Sequence, residues 1–406
     1  MKILMVNKFL YPNGGSETYF LQVGNQLQKM GHEVEYFGME HEGRVVGNHV
    51  ESYTESMEFH SNRLKALTYP LKIIYSGEAR KKIRLVLEDF KPNVVHLNNI
   101  NFQLTPSIID EIHKFDPQIR IVYTAHDSQW VCPDHLMRIP SSGELCQKCI
   151  DGNYRYCIQN RCIHNSVGRS ILGAFEGWFY QKKRTYTLVD KVICPSEFMN
   201  KVLSHNPDLK SRTVTIHNYV NQMQSMKPER SSVEKYVLYF GRFDEEKGIH
   251  TLLKVCRQLP EVSFVFAGKG TYEQEVNEVR NIRNAGFLSG TELYSLIQNA
   301  AFTVFPSECY ENCPFSVMES IVYGTPVIAS DLGGTPELIE NHKTGELFAA
   351  GDFAELKMKI ENLWYDEEKC KSYQMQCRNI LNGKNSRFDT LESYCKKLIE
   401  IYEMER

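Results

Sequence analysis

Two glutamates eight positions apart, Glu311 and Glu319, bracket a proline and an apolar run in "ECYENCPFSVMESIVYGTPVIASD", residues 308–331. Phe315, Val317, Met318, Ile321 and Val322 recur at helical spacing, and proline favours the first helical position. A helix is therefore expected to start near Pro314, capped by Asn312 or Cys313. Its first N–H groups, at Phe315 and Ser316, suit an anion. Glu319 shares a face with Ser316, about 4.5 Å deeper along the axis. A phosphate at those N–H groups leaves Glu319 within reach of an adjoining sugar's hydroxyls. Glu311, outside the helix, accepts from hydroxyls but repels phosphate, so it belongs on the anion's far side. A ligand built as sugar, diphosphate and ribose meets all three demands.

Other candidate residues follow β-rich runs. Arg242 comes after "YVLYFG", with Lys247 and Gly248 at the mouth of the helix "IHTLLKVCRQL", and Gly268 to Gly270 ("GKG") follow "VSFVFA". Two cations, a backbone-exposing glycine pair and a helix N-terminus are the parts a diphosphate site needs. In the first half, Gly14 and Gly15 follow the first strand, and His126 ends another in "TAHD". Plainer alternatives are charges at a helix start for Arg242 and Lys247, a structural histidine for His126, a simple turn for Gly14 and Gly15, and a solvated face for Glu319. Joint placement at strand ends, where parallel sheets bind ligands, favours a site.

Short β-rich runs alternate with amphipathic segments along the chain, which predicts parallel α/β sheets. At 406 residues, two domains are expected. A polar stretch from 221 to 235 breaks the rhythm and reads as a linker, giving an N-terminal domain over 1–220, a second over 221–385 and a C-terminal helix over 386–406. The expected architecture is two Rossmann-like doubly wound domains facing a cleft. The composition, 42% hydrophobic with net charge −3, excludes disorder and a nucleic-acid coat. The short apolar run in "MKILMVNKFLYPNGG", with no uninterrupted spanning run elsewhere, predicts a cytoplasmic, non-spanning protein.

Six motifs in order, "GGSE" near the N-terminus, Gly241–Arg242, Glu246–Lys247–Gly248, "AGKG", the E-x7-E of Glu311 and Glu319, and "YGTPVIASDLGGTPELI", resemble glycosyltransferase family 4. The resemblance implies the GT-B fold, retention of anomeric configuration, and a C-terminal helix that crosses back to the first domain. It implies that Arg242 and Lys247 hold the diphosphate, Phe315 and Ser316 offer it N–H groups, Glu319 binds the ribose diol and Glu311 the donor sugar. Gly14 and Gly15 would close over the donor, His126 would line the reaction centre, and catalysis would need no metal. Cys313 and Ser316 depart from the family's usual small residues. Donors of the family are mostly UDP-sugars, with Phe287 and Leu288 offering backbone to the base. A nucleotide-sugar epimerase of the same fold and a non-catalytic nucleotide-sugar binder are the alternatives. A nicotinamide dehydrogenase is disfavoured, since "NKFLYPNGGSETYF" lacks its glycine fingerprint.

Two stretches stand outside this reading. Residues 61–91 hold eight cations against three anions, interleaved with Tyr69, Leu71, Ile73, Ile74 and Tyr75. That mixture suits either a solvated helix face or an anionic membrane and a lipid-linked saccharide acceptor. Five of the twelve cysteines fall between 132 and 162, in an insertion over about 130–165. Cys146 and Cys149 form C-x2-C and Cys157 and Cys162 form C-x4-C, so these four are the expected ligands of a structural zinc, with Cys132 as substitute. Disulfides, a reduced thiol core and a redox switch are its competitors.

Overall fold

The alternating runs fold into two separate parallel sheets. In the computed structural model, which describes residues 1–55, 74–220, 234–382 and 387–404, one unit comprises Met1–His217 with Leu391–Arg406 and the other Asn218–Thr390. Most of the linker expected over 221–235, and residues 61–73 of the basic stretch, lie outside the described residues.

The first unit runs β1 (Lys2–Val6), α1 (Gly15–Lys29), β2 (Glu33–Phe37), α2 (Gly77–Phe90), β3 (Val94–Leu97), α3 (Ser107–Phe115), β4 (Arg120–Thr124), α4 (Arg155–Gln159), α5 (Val167–Lys183), β5 (Lys191–Cys194), α6 (Glu197–Leu203) and β6 (Thr213–Thr215). The strand order is β2-β1-β3-β4-β5-β6, parallel throughout. Every residue of β3 and β4 is buried, because helices cover both faces of such a sheet. The cysteine-rich insertion between β4 and α5 is pinned by Trp130, stacked between Tyr123 (3.7 Å) and Tyr186 (4.4 Å). Its indole N–H donates to Asn101 Oδ1 at 3.2 Å.

The second unit runs β7 (Tyr219–Val220), β8 (Val237–Phe240), α7 (Ile249–Gln258), β9 (Phe264–Ala267), α8 (Glu273–Asn277), β10 (Ile282–Gly286), α9 (Gly290–Asn299), β11 (Phe302–Phe305), α10 (Phe315–Val322), β12 (Val327–Ser330), β13 (Gly345–Phe348), α11 (Phe353–Tyr365), α12 (Glu367–Asn382) and β14 (Asp389–Thr390). Its sheet order, β10-β9-β8-β11-β12-β13, is the 3-2-1-4-5-6 of a dinucleotide-binding sheet when counted from β8. Phe264, Phe266 and Phe302 fill its core against Leu252 and Ile360. The sequence pattern gave no sign of β10: "IRNAG" is a polar, incompletely buried edge strand. Residues 219–220 pair with 389–390, which moves the unit boundaries to 217/218 and 390/391, a few residues from the expected 220/221 and 385/386.

The final helix, α13 (Leu391–Glu403), belongs to the first unit. Its Tyr394, Leu398 and Tyr402 are buried. A chain of buried polar groups fastens it: Tyr402 OH bonds His96 Nδ1 (2.6 Å), His96 Nε2 bonds Thr124 Oγ1 (2.7 Å), Thr124 bonds Tyr19 OH (3.1 Å), and Tyr19 bonds Tyr394 OH (2.7 Å). Burial lowers the His96 pKa to about 3, so the ring is neutral. Arg120 donates to the Ile401 and Met404 carbonyls at the helix end. Removing one hydroxyl leaves a buried partner unsatisfied, at about 1–3 kcal/mol. Tyr402→Phe should therefore reduce hydrogen-exchange protection in α1, β3 and β4 while leaving β8 to β12 unchanged, and truncation after Phe388 should do so more strongly. Unchanged protection in both variants would show that α13 does not support the first unit.

Candidate active site

In the second unit, chain direction diverges between β8 and β11, which opens a crevice at their carboxyl ends. Arg242 and Lys247 follow β8; Ser307 to Glu311 and α10 follow β11. Lys247 Nζ lies 2.6 Å from Glu311 Oε1, and that oxygen also accepts from Ser307 Oγ at 2.7 Å. Backbone geometry places the pair. Gly248 has φ +70, and a Cβ there would stand 1.8 Å from the Pro306 carbonyl oxygen. Gly333 has φ +63 and closes on the Glu311 backbone, whose carbonyl accepts the Gly334 N–H at 2.8 Å. Burial favours neutral Lys247, but the Glu311 carboxylate outweighs it, so the pKa is raised and the amine stays charged. Arg242 is exposed and donates to Asp244 (2.6 Å) and Glu246 (2.8 Å). Strand-end spacing does not single out Asp244, Glu246 or Ser307 as partners; the acidic run in "RFDEEKG" is the signal in the sequence for the two carboxylates. Both cations are thus held by carboxylates.

The helix after β11 differs in detail from expectation. Pro314 is itself the N-cap, with ψ 119, no side chain caps the helix, and Phe315 is its first residue. Neither Asn312 nor Cys313 serves as cap. Cys313 is drawn into the core, where its carbonyl accepts from Asn218 Nδ2 at 3.0 Å and its sulfur from the Asn218 N–H at 3.3 Å. The first-turn N–H groups at Phe315 and Ser316 are left without a capping side chain. Glu319 is half-buried beside the stacked Tyr294–Tyr323 pair (4.7 Å). Among the described residues nothing hydrogen-bonds its carboxylate, and burial pushes its pKa up to about 7.

Gly268 is not a free backbone donor. Its N–H is spent on the Gly286 carbonyl at 2.8 Å, and a Cβ would stand 1.9 Å from the Gly241 carbonyl oxygen. Tight contact with the turn after β8 therefore explains this glycine, and Gly270 likewise abuts Phe243. Phe287 is 68% exposed at the end of β10, and Leu288 packs partly into the sheet face.

In the first unit the divergence lies between β1 and β3. Gly14 caps α1 in extended conformation and Gly15 begins it. A Cβ on Gly15 would meet nothing within 4 Å, so internal packing does not require that glycine. Glu17, the acidic end of "GGSE", and Asn7, which no motif singles out, are buried beneath them and hydrogen-bonded at 3.3 Å. Asn99 donates to Ser16 Oγ at 3.0 Å. His126 contacts Asn98 Oδ1 through Nε2 at 2.9 Å and Tyr19 edge-to-face at 4.9 Å. Burial lowers its pKa to about 4, so the ring is neutral at pH 7. Because the Asn98 amide nitrogen faces the Val6 and His96 carbonyls, its oxygen accepts from Nε2–H, which leaves Nδ1 as an acceptor.

The basic stretch is partly neutralised within the unit: Arg80 and Arg84 both pair with Glu111, at 2.8 Å for Arg84. The cysteines over 132–162 are free thiols, buried except for the half-buried Cys146. Cys146, Cys149, Cys157 and Cys162 come together with Cys132 around one small cavity.

Residues 13–222 match the profile of Glycosyltransferase Family 4, and 222–379 that of Glycosyl transferases group 1. The chain belongs to glycosyltransferase family 4. This family 4 chain is 31% identical to a sulfoquinovosyl transferase of Arabidopsis thaliana over 171 residues, 41% of the chain and 32% of the relative. It spans 32% to 59% of the length of the curated relatives it matches first. Among solved structures, a sucrose-phosphate synthase from Thermosynechococcus elongatus superposes with TM-score 0.68 at 18% identity, covering 99% of this chain and 98% of that one. HepE of Anabaena, solved in complex with UDP, gives 0.65 at 17% identity with 99% of both chains covered. The family 4 fold is thus the two-unit GT-B architecture. No helix among the described residues is long and apolar enough to cross a membrane.

Burial makes protonated Glu319 the form that the fold prefers. The resulting stability is complete below the ordinary carboxylate range and is lost as pH rises through about 7. Glu319→Gln stays neutral, so it should raise the melting temperature at about pH 8.5 and leave it nearly unchanged at about pH 5. Equal shifts at both pH values would rule out the carboxylate's charge as the cause.

Proposed function

We propose that this glycosyltransferase moves a sugar from a nucleoside-diphosphate sugar, a UDP-sugar, to a saccharide acceptor with retention of anomeric configuration. One observation carries the donor assignment: at the divergence of β8 and β11 two cations follow one strand and an uncapped helix N-terminus follows the other, with Lys247 bonded across to Glu311. In this reading the diphosphate lies against the Phe315 and Ser316 N–H groups. Lys247 and Arg242 turn from their carboxylates toward it and neutralise the charge that develops as the anomeric C–O bond breaks. Glu311, released from Lys247, accepts from the donor sugar's hydroxyls. The Glu319 carboxylate, without a hydrogen-bond partner among the described residues, takes the ribose diol, with the base near Phe287 and Leu288. His126, through its Nδ1 lone pair, accepts from a sugar hydroxyl, and the open Gly14–Gly15 turn gives the ligand close approach to backbone. No residue in this scheme requires a catalytic metal.

Arg242→Ala and Lys247→Ala should each lower kcat by about 10²-fold or more with circular dichroism unchanged, and Glu311→Gln and His126→Ala should reduce turnover. Near-native rates in both cation variants would exclude the diphosphate assignment. Product analysis separates the other readings. Transfer to an acceptor, with the anomeric configuration read by NMR, supports this function. An epimerised free nucleotide sugar would point to the epimerase, and tight binding without turnover to a binding protein.

The acceptor is proposed to be a lipid-linked saccharide at an anionic membrane. The supporting feature is on α5, where Val167, Ile171, Phe175 and Trp178 share one helix face and are all exposed, Phe175 at 52%. The exposed Lys182 falls on the same helix face. Apolar anchors beside a cation suit an anionic interface. The protein should float with vesicles containing anionic lipid, and Phe175→Asp should abolish flotation while leaving donor hydrolysis intact. Absence of flotation with the unmodified protein would dismiss the membrane.

A further inference from the structure

Four of the insertion's thiols come from its loops and Cys157 from the short helix α4, yet Cys132, Cys146, Cys149, Cys157 and Cys162 line one half-enclosed cavity together with Asp134. The room at its centre is about 10 Å³, roughly that of one water or ion. Asp134 is only 8% exposed, and its Oδ2 has no hydrogen-bond partner among the described residues. An unpaired carboxylate oxygen so buried calls for a cation or a proton. The insertion's one short helix is α4, and little other regular structure explains why its turns stay together.

Cys157 differs from the other four. Its Sγ lies 3.9 Å from the Ser170 carbonyl oxygen, a weak contact that a thiol makes favourably and a thiolate does not. We propose that the thiolates of Cys132, Cys146, Cys149 and Cys162 bind one structural zinc ion in this cavity, with Cys157 held beside it as a thiol. Cys132 thus replaces Cys157 in the set that sequence spacing favours. Among the described residues no three His, Cys, Asp or Glu side chains already converge as a metal shell, so binding requires the sulfurs to rotate inward to about 2.3 Å from the ion. Arg138, which also lines the cavity and is anchored by its Nε–H to the Gly143 carbonyl at 3.0 Å, offsets the charge of a four-thiolate centre. Each thiol gives up its proton on binding zinc, and no oxidant or reductant is involved. The metal would staple the loop that begins just after His126, and the second unit would need none of these cysteines to bind donor.

The test is elemental analysis of the full chain, purified reduced and without chelator, with thiol titration of the native protein and cobalt substitution. About one equivalent of zinc, an intense thiolate-to-cobalt charge-transfer band, loss of metal in Cys149→Ser and retention in Cys157→Ser are expected. Chelation should raise proteolysis within 130–165 without weakening UDP binding. Less than about a tenth of an equivalent of zinc, with the five thiols free or joined as disulfides, would overturn the site. Iron in place of zinc would overturn the metal's identity. Retention of zinc in Cys132→Ser with loss in Cys157→Ser would overturn the ligand set. Because the zinc count is read on the unsubstituted protein, an unstable variant leaves the outcome decisive.

Discussion

An open parallel sheet binds its ligand where neighbouring strands send their chains to opposite faces, since that divergence leaves a crevice at the strand ends. In the second unit that place falls between β8 and β11. Everything chemical in the unit is arranged around it. Gly248 lets the chain beside Lys247 pack against the Pro306 carbonyl, Gly333 closes on the backbone of Glu311, and Pro314 caps a helix whose first N–H groups have no side-chain cap. The Lys247–Glu311 contact at 2.6 Å records the electrostatic state of the crevice. Two opposite charges, partly withdrawn from water, are each other's best available partner. A ligand that carries both phosphate and hydroxyls offers a better one to each.

Much of this was legible in the residues because strand-end chemistry is local. The E-x7-E spacing, the cations after "YVLYFG" and the alternating runs each depend on neighbours within a turn or a strand. The features that differ from expectation depend on distant chain. Cys313 fails as a cap because Asn218, 95 residues earlier, holds it in the core. Gly268 is explained by the turn after β8, and β10 escaped notice because an edge strand carries no apolar alternation. The carboxylates that hold Arg242 were in plain sight, but an acidic turn has no signature that ties it to a particular arginine.

The same contrast holds in the first unit. The apolar face of α13 was readable, whereas the polar chain from Tyr402 through His96 and Thr124 to Tyr394 joins residues up to 375 positions apart. His126 could be read as a strand-end histidine. Its neutral form, and the tautomer that leaves Nδ1 free to accept, follow only from burial and from Asn98. The cysteines lay between the two cases: their spacing suggested a metal, and the fold adds the shared cavity, the buried Asp134 and the carbonyl that sets Cys157 apart.

Diphosphate capture at the β8–β11 divergence is the central claim, and a crystal structure with UDP tests it most directly. The expected result places phosphate oxygens within hydrogen-bond distance of the Phe315 and Ser316 N–H groups, with Lys247 Nζ moved from Glu311 to the phosphate and the ribose hydroxyls on Glu319. UDP bound elsewhere, or bound here with the Lys247–Glu311 contact intact and the α10 N–H groups untouched, would contradict it.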